Sequence, residues 1–324
     1  MFGKVAKSFL AIIVGGTTVR LSENYIRSFY IDDIEKKHVL ITGCDSGFGE
    51  KFARQLDAKG VKVIAACLTQ TGAEKLKTKC SNQLQTVLLD VTNDKQVNEL
   101  RSKLEIELKD VGLHALVNNA GISTASIVGE LEMYNSDDYR RVLDVNTVAV
   151  ANLSLRFLPL LSKAEGRIVN VSSAAGRLAE GNNIPYHVSK FATEAFSDCL
   201  RIKLRNMNKG VTVHLIEPGF FKTEIINVES TKKLVKKGLE RIPIDKRQGL
   251  DEEIYVNQYV KALTAINDNA SSNIEEVTNA YEHAIFSKWP KRRYPIGFDC
   301  KYIAIPISLL PSWISDYIMI KPKD

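Results

Sequence analysis

The stretch "YHVSK" sets a phenol and an ammonium, Tyr186 and Lys190, four residues apart, which is one turn if the segment is helical. A free tyrosine, with a pKa of about 10, is a poor base at neutral pH. A cation held one turn away favours the phenolate and lowers that pKa. Ser173, in "NVSSAAG", stands thirteen residues before Tyr186, and its hydroxyl can donate to a carbonyl or accept from an alcohol. The three groups together suit proton transfer at an oxygen that passes between hydroxyl and carbonyl. A Tyr and a Lys at this spacing also occur on ordinary solvated helix faces, so the meaning of the pair depends on its surroundings. Ser172 is the lesser serine candidate. His187 points away from the Tyr/Lys face of a helix and reads as substrate-lining or structural.

A second chemical signal lies upstream in "TGCDSGFG", residues 42 to 49. Gly43, Gly47 and Gly49 allow a tight turn, the close approach of a pyrophosphate and close packing of the helix that follows, whose first amides face the anion. Thr42, Asp45, Ser46 and Phe48 complete that loop. The required context is present, since an apolar run precedes it and an amphipathic run, "GEKFARQLDAKG" (49–60), follows.

Such residues need a frame. Six short runs rich in Val, Ile and Leu recur at 38–43, 61–67, 84–91, 115–121, 166–173 and 211–219, separated by helical patterns. Runs apolar on both faces read as strands buried between helices, and this alternation predicts an α/β fold, a doubly wound parallel sheet of the Rossmann type. One catalytic domain is expected over 36–300, with a less regular stretch at 220–287 over the cleft, an anchor-like segment at 1–35 and an apolar tail at 301–324.

Composition bounds the function classes. A net charge of +6 on 324 residues, with basic residues dispersed, argues against a nucleic-acid partner. Five cysteines without a CxxC pair suggest neither a disulfide framework nor a metal site. The apolar stretch "FLAIIVGGTTV" (9–19), preceded by Lys4 and Lys7, is about half as long as a spanning helix needs. It reads either as a membrane anchor or as a segment that docks on the protein.

The pattern T-G-x-x-x-G-x-G resembles the short-chain dehydrogenase/reductase family, and other motifs of that family follow in order. Asp90 and Val91 match its adenine contact, and Asn118, Ala120 and Gly121 in "NNAG" match the segment lining the cofactor. Asn146 matches its catalytic asparagine, which by resemblance bends its helix and holds a water linking Lys190 to solvent. Ser173, Tyr186 and Lys190 match the rest of its catalytic set, with Ser173 and Tyr186 meeting the substrate and Lys190 the nicotinamide ribose. Pro218, Gly219 and Thr223 in "EPGFFKT" match its nicotinamide-side loop. At the end of the second strand, where cofactor choice is written, stand Cys67 and Leu68, neither acid nor base. Leu68 offers a 2′-phosphate nothing, which favours NAD over NADP.

"AACLT", "EAFSDCLR" and the tail "RYPIGFDCKYIAIPISLLPSWISDYI" are similar to the retinol and hydroxysteroid dehydrogenase branch. That resemblance implies NAD-dependent oxidoreduction of a small lipid alcohol or ketone, peripheral association with the endoplasmic reticulum membrane, and a homo-oligomer. Cytoplasmic and mitochondrial addresses are the alternatives for location. A 3-hydroxybutyrate-type hydroxy-acid dehydrogenase, or a catalytically silent nucleotide-binding regulator, is the alternative for function.

Overall fold

Seven apolar segments form one parallel sheet: β1 (His38–Thr42), β2 (Lys62–Cys67), β3 (Gln85–Leu88), β4 (Ala115–Asn118), β5 (Arg167–Val171), β6 (Thr212–Pro218) and β7 (Arg293–Ile296). Their order is β3-β2-β1-β4-β5-β6-β7, with register such as Leu40 beside Ile64 and Leu116. The computed structural model describes residues 22–23, 25–123, 131–181, 183–223, 228–247 and 251–320. The apolar stretch 9–19 lies outside them. Six of the strands coincide with the six apolar runs. The seventh is absent from that reading because "RYPI" is only four residues long and carries an arginine and a proline, which an edge position tolerates.

Helices cover both faces, and alternation along each strand decides which side chain meets which layer. Val39, Ile41, Val63 and Ala65 face α1 (Gly47–Asp57), α2 (Gln70–Lys77) and a later helix, α11 (Glu275–Phe286), through Phe52, Leu76 and Tyr281. Leu40, Ile64 and Ala66 face the opposite layer of α3 (Asp94–Glu107), α5 (Ala149–Arg156), α6 (Leu158–Lys163) and α7 (Ile184–Asn206). A π-helical turn, Asp144–Val148, joins α4 (Ser136–Leu143) to α5. Helices α8 (Val228–Leu239), α9 (Ile244–Arg247) and α10 (Glu252–Asn269) follow β6, and a small apolar cluster of Met133, Val235, Leu239, Ile242 and Val256 holds α8 and α10 together. Two short helices, α12 (Ile305–Ser308) and α13 (Ser312–Met319), end the described chain. The strand order reverses between β1 and β4, so a crevice opens beyond their carboxyl ends.

Candidate active site

The glycine loop leaves β1 at that crevice. Gly43 has φ +69°, and a Cβ there would come 2.8 Å from Ala120 Cα; at Gly49 it would come 2.3 Å from the Gly43 carbonyl oxygen. Only glycine lets α1 start this close to the loop it leaves. Ser46 gives α1 no side-chain cap, so the first-turn amides are available to an anion. Beneath the loop, the Thr42 hydroxyl accepts from the backbone N–H of Asn119 and of Ala120, each at 3.0 Å. Asn119 Nδ2 donates to the carbonyls of Thr42 (2.8 Å) and Gly43 (3.1 Å), while Tyr281 Oη donates to Asn119 Oδ1 (3.0 Å). Thr42, Gly49 and Cys67 therefore lie behind the cavity wall rather than on it. Asn118 also faces inward, donating to Asn170 Oδ1 (2.8 Å) and Ser154 Oγ (3.1 Å). Its neighbour Asn119, which the motif reading did not single out, lines the cavity together with Ala120 and Gly121.

An acid does reach the end of β2, and it comes from the glycine loop. Asp45 accepts from the N–H groups of Leu68 (2.8 Å) and Thr69 (2.9 Å) and from Thr69 Oγ1 (2.7 Å). Asp45, Ser46, Gly47, Phe48 and Leu68 line one end of a cavity of about 960 Å³, beside Asp90 and Val91. Asp90 accepts from the N–H and hydroxyl of Thr92 at 2.9 and 2.7 Å. Among the described residues lining this cavity, the only lysine or arginine is Lys190. The glycine loop and the uncapped first turn of α1 fit the pyrophosphate of a nicotinamide dinucleotide, NAD or NADP.

Further in, α7 presents Tyr186 and Lys190. Lys190 Nζ donates to the Val171 carbonyl (2.9 Å) and lies 5.5 Å from the Tyr186 ring centroid. Burial lowers the Lys190 pKa to about 8, against a smaller upward pull from the Glu194 charge. Burial also raises the pKa of the Tyr186 phenol, and a hydrogen bond with the Ser173 side chain pulls it partly back. Ser173 Oγ accepts from Ala175 N–H (3.1 Å) and lies 3.4 Å from the Pro218 carbonyl. Ser172 is buried and also lines the cavity, with its Oγ close to Gly176. Asn146 sits in the π-helical turn, where Oδ1 accepts from Ile122 N–H and Nδ2 donates to the Ile122 carbonyl (both 2.9 Å) and to Ser189 Oγ (3.0 Å). It thereby ties the strand-end loop to the turn of α7 that bears Lys190. His187 bonds through Nδ1 to the Ala175 carbonyl (3.0 Å), so Nδ1 is the protonated nitrogen. It is buried and also lines the cavity.

Pro218, Gly219 and Thr223 line the same cavity. A carboxylate from the C-terminal segment holds this loop: Asp299 Oδ2 accepts from Phe220 N–H (2.6 Å), and a Cβ on Gly219 would fall 2.0 Å from Asp299 Oδ1. The remaining wall is mainly apolar and aromatic, with Leu178, Tyr255, Leu263 and Ile266, and with Ile303 and Met319 from the tail, while Glu180, Asn183 and Gln258 add polar groups to it.

A family model described as short chain dehydrogenase matches residues 37–234. The chain is 42% identical over 289 residues to short-chain dehydrogenase/reductase family 9C member 7 of Mus musculus, covering 89% of this chain and 90% of that one. It is 41% identical over 295 residues to 17-beta-hydroxysteroid dehydrogenase type 6 of Homo sapiens (89% of each chain), and 39% identical over 311 residues to retinol dehydrogenase 16 of Homo sapiens (96% of each). Among solved structures, a short chain dehydrogenase/reductase from Burkholderia phymatum in complex with NAD superposes with a TM-score of 0.67 at 23% identity, covering 91% of this chain and 99% of that one. One from Burkholderia cenocepacia in complex with NADP gives 0.66 at 20% identity, covering 89% and 99%.

Proposed function

This chain belongs to the short-chain dehydrogenase/reductase family, in its retinol and hydroxysteroid dehydrogenase branch, as an oxidoreductase acting on CH–OH groups; from that premise we propose that it uses NAD to interconvert an apolar lipid alcohol and its carbonyl, with Tyr186 as acid and base. The observation that carries the proposal is the Tyr186 phenol, hydrogen-bonded to Ser173 and beside Lys190, at one end of a cavity whose far wall is apolar. Bound nicotinamide supplies the hydride acceptor for oxidation and the donor for reduction.

In the oxidising direction the substrate hydroxyl meets Ser173 Oγ and Tyr186 Oη, and Tyr186 takes its proton. Because burial raises the phenol's pKa, that transfer leans on the Lys190 ammonium beside the ring. Asn146 holds Ser189 and so the turn of α7 that aims Lys190. In the reverse direction Tyr186 returns the proton to the carbonyl oxygen, with Ser173 donating to the same atom.

Asp45 supports NAD over NADP, since its carboxylate would repel a 2′-phosphate and, apart from Lys190, no lysine or arginine among the described lining residues offsets it. The wall supports a lipid over a short hydroxy acid, because Lys190 is committed to the tyrosine and no other lysine or arginine among the described lining residues could hold a substrate carboxylate. No helix among the described residues is long and apolar enough to cross a membrane. The tail nonetheless exposes Leu309, Trp313 and Tyr317 by 75, 74 and 83%, which supports contact with a lipid surface from which an apolar alcohol would reach the cavity.

Purified protein given NAD or NADP with a panel of retinols and hydroxysteroids should form reduced nicotinamide, faster with NAD. Tyr186→Phe should lose roughly a hundred- to ten-thousand-fold in turnover. Undiminished turnover in that variant would sink the assignment of the base.

A further inference from the structure

One turn beyond Lys190, the same helix carries an acid that the reaction scheme leaves unused. Glu194 is 6% exposed, and Asp198 follows another turn on, so Tyr186, Lys190, Glu194 and Asp198 make one stripe along α7. Charged groups reach this stripe from β6, β7, the turn after β5 and α7 itself. Arg293 of β7 pairs with Glu194, with Glu217 of β6 (2.5 Å) and with Asp198 (2.6 Å). Arg177, from the turn after β5, adds a second contact to Glu217 (3.0 Å), and Arg201 adds one to Asp198 (2.6 Å). The Cys300 thiol is also near, raised first by its burial and then by the Glu217 charge. Three carboxylates thus meet three guanidiniums, and the Lys190 ammonium stands outside this balance.

If the network only pinned β7 to α7, each carboxylate oxygen should find a donor. Glu194 Oε1 and Glu217 Oε2 have none among the described residues, although both are buried. The Ser172 hydroxyl lies beside the Glu194 carboxyl without a well-directed hydrogen bond to it. All of this converges on Gly176, where a Cβ would come 2.6 Å from Ser172 Oγ, 3.0 Å from Glu194 Cγ and 3.0 Å from the Lys190 carbonyl oxygen. A buried carboxylate oxygen left without a donor is costly, so the unpaired Glu194 oxygen is to be explained by something it acts on. One turn before Glu194 on the helix stands the buried Lys190, whose Nζ turns to the Val171 carbonyl and forms no close ion pair with Glu194.

We propose that Glu194 is a positioning residue for the reaction: its carboxylate acts through the low-dielectric interior of α7 to keep buried Lys190 in its ammonium form, and so keeps Tyr186 supplied with a cation. This inference rests on the roles given above to Tyr186 and Lys190. The direction of each titration agrees with it. Burial alone carries Lys190 down, and Glu194 is the charge that opposes the fall. Burial first, and then the Glu217 charge, carries Glu194 above the usual carboxylate range, against the pull of Ser172 and Arg293. Its negative charge therefore grows as the pH rises towards the range in which Lys190 begins to lose its proton.

The test is Glu194→Gln, which keeps the shape and leaves Arg293 paired with Glu217 and Asp198. Cyanate carbamylates neutral amines, and mass spectrometry follows each lysine of the ligand-free protein across pH. The Lys190 midpoint should fall by about one pH unit from about 8 in the variant, making it roughly fivefold more reactive at pH 7, with the surface lysines unmoved. The alkaline limb of kcat/KM should fall by the same amount, and Glu194→Asp should restore most of both. A purely structural role would raise Lys190 reactivity equally at every pH, and that result, or an unmoved midpoint, overturns the inference. Should Glu194→Gln not fold, Ser172→Ala removes a group that favours the Glu194 carboxylate and should move the Lys190 midpoint down by a smaller step, roughly twofold in reactivity; no movement there overturns it equally. An inert Tyr186→Phe with an unmoved Lys190 midpoint overturns this inference alone. A fully active Tyr186→Phe with a shifted midpoint overturns the role of Tyr186 and leaves the Lys190–Glu194 coupling standing.

Discussion

Acid should unfold this protein through two histidines. His114 and His214 are 6 and 3% exposed, and burial, as the leading cause, lowers each pKa from 6.5 to about 4. Both rings are bonded as neutral species. His114 Nε2 donates to the Ile285 carbonyl (2.8 Å) and the ring stacks on Phe286 at 5.7 Å. His214 Nδ1 donates to the Lys291 carbonyl (2.6 Å), which leaves Nε2 to accept from Thr212 Oγ1 (2.8 Å). A folded-state pKa below the unfolded value means that the unfolded chain binds the proton first. The stabilisation is thus whole above pH 6.5 and is lost as the pH falls from 6.5 towards 4. Each ring accounts for about 3 kcal/mol over that window, so the pair together approach a typical domain's whole margin of roughly 5–15 kcal/mol. Urea unfolding followed at steps between pH 7 and 4.5 should show stability falling by up to about 2.7 kcal/mol per pH unit, and His214→Gln should halve that slope. Equal stability at pH 7 and 5, or an unchanged slope in the variant, would refute the reasoning. Both rings hold the segment from α11 to β7 against the sheet, so activity should fade over the same window.

Three further outcomes follow from the cofactor end of the cavity. Asp45→Asn combined with Leu68→Arg removes a repelling charge and adds an attracting one, and should shift the ratio of NADP to NAD affinity by tenfold or more, read from nicotinamide fluorescence titrations. Gly49→Ala would drive a methyl to 2.3 Å from the Gly43 carbonyl; it should cost about 2 kcal/mol or more of stability and weaken NAD binding at least tenfold, checked by thermal melts with and without cofactor. Asp299→Ala strips the Phe220 N–H of its acceptor and loosens the nicotinamide-side loop, so the KM for cofactor should rise several-fold while the retinol or steroid KM changes less.

What the sequence made legible is what local pattern encodes. The strands β1 to β6, the glycine loop and the Tyr186/Lys190 turn each declare themselves within a dozen residues, by alternation, by glycine spacing or by helical periodicity. What stayed hidden depends on partners far apart in the chain. Asn119 became visible only through Tyr281, 162 residues later, and the acid sought on β2 was supplied by Asp45, 23 residues before Leu68. The neighbours Asn118 and Asn119 look alike in "NNAG". One turns into the layer of Ser154 and Asn170 while the other braces the glycine loop, a choice that the sheet makes and the motif does not.

Those long-range partners have one origin: they come disproportionately from the chain after residue 270. Tyr281 braces the glycine loop through Asn119, Arg293 gathers the acids behind Lys190, Asp299 holds the Pro218-Gly219 loop, and Ile303 and Met319 finish the apolar wall. The first six strands therefore bring Ser173, Tyr186 and Lys190 to one crevice, while the last helix, the edge strand and the tail add charges and apolar wall around them. Two consequences differ in kind. Changes at Arg293 or Asp299 should alter pH dependence and cofactor affinity. Changes at Ile303 or Met319 should alter which alcohol is preferred and leave the pH profile in place, because neither side chain carries a charge towards Lys190.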